Sequence, residues 1–208
     1  SWDVKLSIDN KTALVADATS FHIINISDLS SPTLRSKLDL DDARGAKISA
    51  DGQTAFIADG TSGLRIIDIS NLDSPSLQGT YNTSGLAYDI TLSGDGNTAY
   101  VADGNGGMDI IDVSDHSSPT LIETYNTSGT SRRLTLSDDK KTAFVADSGS
   151  GLQIINIVDE TANGASSIDT SDENTDIPKI LPGRTVGEWR NGRAFAALKD
   201  DGSVITWG

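Results

Sequence analysis

The chain contains no cysteine. That excludes a disulfide framework, a thiolate nucleophile and a cysteine-ligated metal in one step. Only two histidines are present, His22 and His116, and they fall at non-equivalent places in the pattern described below. With no cysteine, two separated histidines and no serine in an elbow motif, zinc catalysis and nucleophilic catalysis both lack parts. No apolar run approaches the roughly 20 residues that span a bilayer. No signal-peptide pattern opens the sequence either. Positive charge is scarce: 16 basic residues face 30 acidic ones, giving a net charge of −14. Such a surface repels phosphate and anionic lipid, which opposes a role on nucleic acid or bare membrane. It favours solvation, divalent cations or basic partners. Helical periodicity is missing too, since no 10-residue window carries an apolar stripe at helical spacing.

What the chain has is repetition. Thr12-Ala13-Leu14-Val15-Ala16-Asp17 returns as Thr54-Ala55-Phe56-Ile57-Ala58-Asp59, Thr98-Ala99-Tyr100-Val101-Ala102-Asp103 and Thr142-Ala143-Phe144-Val145-Ala146-Asp147, with the aspartates 42, 44 and 44 residues apart. A fixed period in this range is the mark of a repeat architecture. The third unit reads most cleanly as four strands: residues 86–92, 98–102, 108–113 and 120–125. They are called strands a to d here. Gly, Asp, Asn and Pro separate them, which describes an antiparallel meander. Asp51-Gly52, Asp95-Gly96 and Asp201-Gly202 mark tight a–b turns, with Asp138-Asp139-Lys140 as a variant.

Strand c carries adjacent isoleucines in every unit: Ile23-Ile24, Ile66-Ile67, Ile110-Ile111 and Ile154-Ile155. Neighbours on a strand point to opposite faces. Apolar residues on both faces therefore predict a sheet covered on both sides. Four-stranded sheets of this kind, repeating every 44 residues, predict the stacked blades of a β-propeller. The residue before each pair varies freely (His22, Arg65, Asp109, Gln153), which predicts a rim or a loosely packed place. Pro32, Pro75 and Pro119 open strand d, as expected of an outermost strand.

Leu64-Arg65-Ile66-Ile67-Asp68-Ile69-Ser70 and Met108-Asp109-Ile110-Ile111-Asp112-Val113-Ser114 resemble the LVIVD repeat of bacterial and archaeal surface proteins. The resemblance covers roughly residues 1–158. It implies a β-propeller, usually within a large extracellular protein, and no established catalysis. Two units have Asn25 and Asn156 for the motif aspartate, so the resemblance does not support a catalytic or metal role for that column.

The expected fold class is all-β, a partial or open propeller of four blades of about 44 residues plus the start of a fifth. The expected blades are residues 2–40, 45–81, 86–125 and 130–183, followed by the beginning of a further repeat over 184–208. Residues 159–176 read as an acidic surface insertion, after which Pro178 opens the last strand d. Residues 192–208 are similar to the repeat of the regulator-of-chromosome-condensation type, whose units end in Trp-Gly. Both chain ends read as cuts within a longer protein.

Three groups of residues carry candidate chemistry. Asp17, Asp59, Asp103 and Asp147 close strand b in each unit. A ring of carboxylates could hold Ca²⁺. The alternative is that each accepts the N–H groups of its own turn, and this is the reading favoured here. The near-identical connections Tyr81-Asn82-Thr83-Ser84-Gly85 and Tyr125-Asn126-Thr127-Ser128-Gly129 fall on one propeller face with the b–c loops. Asp59, Asp103, Tyr81, Asn82, Tyr125 and Asn126 are thus the candidate ligand-binding residues, for a protein or glycan. The expected function is non-enzymatic binding, adhesion or scaffolding at the cell surface or outside the cell. No cofactor is expected, with Ca²⁺ the exception to test. The alternatives are a calcium-dependent, lactonase-like propeller hydrolase and a structural spacer. A partial ring leaves blade edges open, so self-association through them is also expected.

Overall fold

Each a–b turn is built by one recurring device. Ser49 Oγ donates to Asp51 Oδ1 at 2.5 Å, and that carboxylate also accepts the Gln53 N–H at 3.0 Å. The same hydroxyl accepts the Thr54 N–H at 2.9 Å, closing the loop onto strand b. Ser7/Asp9, Ser93/Asp95 and Ser137/Asp139 repeat it. The residue after each aspartate has φ > 0: Asn10, Gly52, Gly96 and Lys140. The Asp-Gly signal therefore marks a left-handed position that Asn10 and Lys140 also adopt.

These turns join antiparallel meanders. The computed structural model describes residues 3–157, together with the backbone of two strands near the C-terminus. Blade 1 contains β1 (Asp3–Leu6), β2 (Thr12–Asp17), β3 (Ser20–Asn25) and β4 (Thr33–Asp39) in that spatial order. Blade 2 contains β5 (Ala43–Ile48), β6 (Thr54–Asp59), β7 (Leu64–Asp68) and β8 (Ser76–Tyr81). Blade 3 contains β9 (Asp89–Leu92), β10 (Thr98–Ala102), β11 (Met108–Asp112) and β12 (Thr120–Tyr125). Blade 4 is described through β13 (Thr130–Leu136), β14 (Thr142–Ser148) and β15 (Gly151–Asn156). The expected insertion over 159–176 and the strand d opened by Pro178 lie outside the described residues. β16 (Phe195–Leu198) pairs antiparallel with β17 (Val204–Trp207), so a hairpin forms within the segment where a further repeat was expected.

The isoleucine pairs do what the alternation rule requires. Ile67 belongs to an apolar cluster shared with blade 1 (Leu14, Ala16, Phe21, Ile23). Ile66 belongs to one shared with blade 3 (Ile90, Val101, Ile111, Val113). A third cluster joins Tyr100, Met108 and Ile110 of blade 3 to Leu134, Val145 and Ile155 of blade 4. Every blade thus has a first face, turned to the preceding blade, and a last face, turned to the following one. First faces combine alanine with β-branched residues (Ala55, Ile57, Ile67, Ile69 in blade 2), and last faces add an aromatic ring and a longer chain (Phe56, Ala58, Leu64, Ile66). Large and small side chains meet across each junction, as close packing demands.

Polar contacts reinforce the stack. Asp3 Oδ2 accepts the Ala46 N–H at 2.9 Å, and Asp89 Oδ2 accepts the Leu134 N–H at 3.1 Å. Between blades 2 and 3 the corresponding position is Gly45, where a Cβ would come within 2.8 Å of Asp89 Cα. The c–d turns of blades 2 and 3 also lean on the outer strand of the preceding blade. Leu72 O accepts Ser36 Oγ at 2.6 Å, and the His116 carbonyl closes on Gly79 of β8 while its ring meets Phe56 of β6 edge to face, with centroids 5.5 Å apart.

Candidate functional site

Asp59, Asp103 and Asp147 end strand b with relative exposures of 0%, 0% and 4%. Their partners come from the d–a connection 18 residues upstream, and not from their own b–c turn. Asp59 Oδ1 accepts the Asp42 N–H at 2.7 Å and the Asp41 N–H at 3.2 Å. Asp103 Oδ2 accepts the Gly85 N–H at 2.6 Å and Ser84 Oγ at 3.2 Å, and Asp147 Oδ2 accepts the Gly129 N–H at 3.1 Å. The b–c turns close by backbone alone, with Asp59 N–H on Gly63 O and Asp103 N–H on Gly107 O. The favoured reading of these aspartates as formers of their own turns is therefore corrected: they latch the chain's entry into each new blade. In blade 3 the latch needs glycine, because a Cβ on Gly85 would lie 2.2 Å from Asp103 O, whereas blade 2 seats Asp41 and Asp42 at the same place.

In blades 2 and 3 the variable residue before the isoleucine pair sits beside this carboxylate, not at a loose rim. Arg65 donates to Asp59 Oδ2 at 3.3 Å and reaches Asp41 at 3.6 Å. In blade 3 the same position is Asp109, only 2% exposed, which accepts Thr124 Oγ1 at 2.6 Å. Burial pushes the Asp109 carboxyl above its ordinary range; the Thr124 hydroxyl draws it back and the Asp103 charge adds to the rise. Burial likewise raises Asp103, offset by the Gly85 N–H and Ser84. In blade 4 Gln153 keeps the place neutral and donates to Ser150 O at 3.2 Å. Alternation explains the packing: Arg65 and Asp109 pair with Ile57 and Val101, two residues before Asp59 and Asp103, so side chain and carboxylate share a face of the sheet.

The two predicted connections take the same form. Asn82 and Ser84 are exposed with Tyr81 and Thr83 half-buried, and Asn126 and Ser128 repeat this with Tyr125 and Thr127. They do share a face with the b–c loops. A Cβ on Gly63 would strike Tyr81 O and Asn82 Cα, and one on Gly107 would strike Tyr125 O and Asn126 Cα. Across blades, Ser128 Oγ donates to Ser150 Oγ at 2.8 Å, and Thr130 Oγ1 donates to Asn105 Oδ1 at 2.9 Å.

One part of this face was not visible in the sequence. Strands β5 and β13 each carry a bulge near their start, at Arg44 and Arg132. A bulge re-aims its side chain. The Arg44 guanidinium carbon lies 4.4 Å from the Tyr88 ring centroid and that of Arg132 lies 5.1 Å from it. Arg44 is also held by Asp42 at 2.6 Å. Tyr88 adjoins the b–c loop, since a Cβ on Gly104 would meet its ring at 3.1 Å. The equivalence of Arg44, Tyr88 and Arg132 could have been read from the period, but bulges leave no mark in a strand pattern.

Asp17, Asp59, Asp103 and Asp147 each close strand b of a different blade, and the structure does not bring them together. Among the described residues, no three His, Asp or Glu side chains gather so as to hold a metal ion. His22 and His116 likewise stay apart, on β3 of blade 1 and in the c–d turn of blade 3.

The LVIVD repeat model matches residues 2–39, 44–83 and 84–127. The chain belongs to the LVIVD-repeat family. Those three segments coincide with blades 1 to 3, and the three-stranded antiparallel sheet β13–β14–β15 follows them in the structure. No curated protein matches the chain. Among solved structures it is similar to the periplasmic gluconolactonase of Pseudomonas aeruginosa, with a TM-score of 0.69 and 15% identity over 81% of this chain and 53% of that one. A Bacteroides fragilis protein whose proposed activity is 6-phosphogluconolactonase gives 0.65 and 18%, over 74% of this chain and 50% of that one. Hydrazine synthase of Kuenenia stuttgartiensis gives 0.60 and 17%, over 73% and 44%. The chain spans about half the length of these structures. The likeness establishes a β-propeller fold, and the proteins that share it differ too much in chemistry for it to establish more.

Proposed function

We propose that this LVIVD propeller is a non-enzymatic binding module that serves adhesion or scaffolding within a large bacterial cell-surface or secreted protein. The latch carries the reading. The buried carboxylates that could have done chemistry hold backbone N–H groups instead, and this fixes two near-identical loops with Asn82 and Asn126 exposed beside half-buried Tyr81 and Tyr125. Paired amide and phenol groups on a fixed loop face suit a glycan or an extended peptide, with polar groups giving orientation and rings giving contact area. The Arg44–Tyr88–Arg132 stack extends that face. The net charge of −14 argues against nucleic acid and membrane partners. The resemblance of residues 192–208 to repeats found in tandem in very large surface proteins supports the setting.

Glycan and peptide arrays probed with the wild-type chain and with the Asn82→Ala/Asn126→Ala variant test this. A bound ligand lost at least tenfold by the variant, with an unchanged melting temperature, supports it. Metal content and melting with and without chelator are measured alongside. Bound calcium, a chelator-sensitive melting temperature and chelator-sensitive turnover of a lactone would replace this reading with the hydrolase.

A further inference from the structure

The described stack ends in two uncovered faces, and they are the two halves of a junction the chain already makes. The last face of blade 4 presents Phe144, Ala146, Leu152 and Ile154. In blade 2 the same positions hold Phe56, Ala58, Leu64 and Ile66, identical in kind at all four. Blade 2 docks these on the first face of blade 3, formed by Ala99, Val101, Ile111 and Val113. The first face of blade 1 presents Ala13, Val15, Ile24 and Ile26, which differs from that receptor by one methylene.

Among the described residues neither face has a cover, and the exposures differ accordingly from those at the closed junctions. Val4 and Leu6 are 56% and 53% exposed, whereas Ile90 and Leu92 at the same positions of blade 3 are 4% and 7%. Leu29, the counterpart of Leu72 in the clasping c–d turn, is 83% exposed. Leu152 is 54% exposed, whereas Leu64 is fully buried. Charge agrees as well. The contact of Gly45 with Asp89 shows that equivalent strand-a positions meet across a junction. At the open junction these positions would be Arg133, whose half-exposed side chain also pairs with Asp89 at 3.7 Å, and Asp3, which also pairs with Lys5 and accepts the Ala46 N–H.

We propose that two copies of this chain associate head to tail, the last face of blade 4 in each docking on the first face of blade 1 in the other. Each contact is heterologous, and two of them close a ring under twofold symmetry. The inference is independent of what the loop face binds.

The test is sedimentation equilibrium of the full 208-residue chain. The expected mass is twice 21.8 kDa. A monomer at 100 µM, or an open-ended series of larger species, would overturn the proposal. Ile24→Asp and Ile154→Asp each spoil one face, and each variant alone should be monomeric. Mixed in equal amounts they retain one intact junction and should give a 1:1 dimer. No association on mixing folded variants would overturn the head-to-tail geometry. Arg133→Glu leaves the apolar faces intact and should weaken dimerisation at least tenfold; unchanged affinity counts against the registered docking.

Discussion

Replacing Asp103 separates a latch from a plain turn residue. Its Oδ2 holds the Gly85 N–H at 2.6 Å and Ser84 Oγ at 3.2 Å, and the residue is fully buried. Asp103→Ala strands both donors. One unsatisfied buried donor costs about 1–3 kcal/mol, and relief of the desolvated carboxylate returns about 1 kcal/mol. The net loss is about 2 kcal/mol. Asp103→Asn keeps an acceptor for Gly85 and removes the charge, so at neutral pH its stability stays within about 1 kcal/mol of wild type. The pH dependence has a definite sign. Burial raises the folded-state pKa of Asp103. Between the ordinary aspartate pKa and that raised value the folded chain holds a proton that the unfolded chain has released. Wild-type stability therefore falls as pH rises through this window, whereas the Asn variant lacks the term. Urea unfolding at pH 5 and pH 8, with m held common, reads both effects. Asp103→Ala as stable as wild type would refute the latch. An advantage of Asp103→Asn that shrinks as pH rises would refute the buried carboxylate.

The remaining predictions concern neighbouring contacts. Gly79→Ala puts a Cβ 2.0 Å from His116 O, and overpacking against backbone should cost about 1–3 kcal/mol by thermal unfolding. Arg65→Met leaves the fully buried Asp59 without its cation. The retained Asp41 and Asp42 N–H bonds and the partly exposed guanidinium hold the loss to about 1–2 kcal/mol, well under the cost of breaking a fully buried pair. Adding Asp59→Asn should recover part of that loss in a double-mutant cycle. Asp109→Asn should stabilise blade 3 by about 1 kcal/mol at pH 7, because it removes a buried charge held by a single hydroxyl.

Much of the fold could be read from the sequence because each unit states it again. β10 and β12 occupy the predicted spans of strands b and d, and Pro32, Pro75 and Pro119 stand immediately before β4, β8 and β12. The doubled isoleucines supplied the two-sided burial. Strand a proved harder: β9 begins at Asp89, because Ala87 bridges to Gly60 of the preceding blade and the chain enters the sheet only afterwards. The latch was hidden for the same reason, since a bond across 18 residues obeys no local rule. Its trace is the exchange between units of Arg65 beside Asp59 for Asp109 beside Asp103. Read along one strand, that exchange looks like tolerance. In space it is a change in how a buried carboxylate is compensated.

Stacking through opposite faces of one strand is tested most directly by coupling energies at Ile66 and Ile67. Ile66→Ala should couple to Ile111→Ala of blade 3 by at least about 0.5 kcal/mol and be additive with Ile23→Ala of blade 1 to within about 0.3 kcal/mol. Ile67→Ala should show the reverse, coupling to Ile23→Ala and adding with Ile111→Ala. Equal coupling of both isoleucines to one neighbour, or additivity throughout, would contradict blades that shield each other face to face.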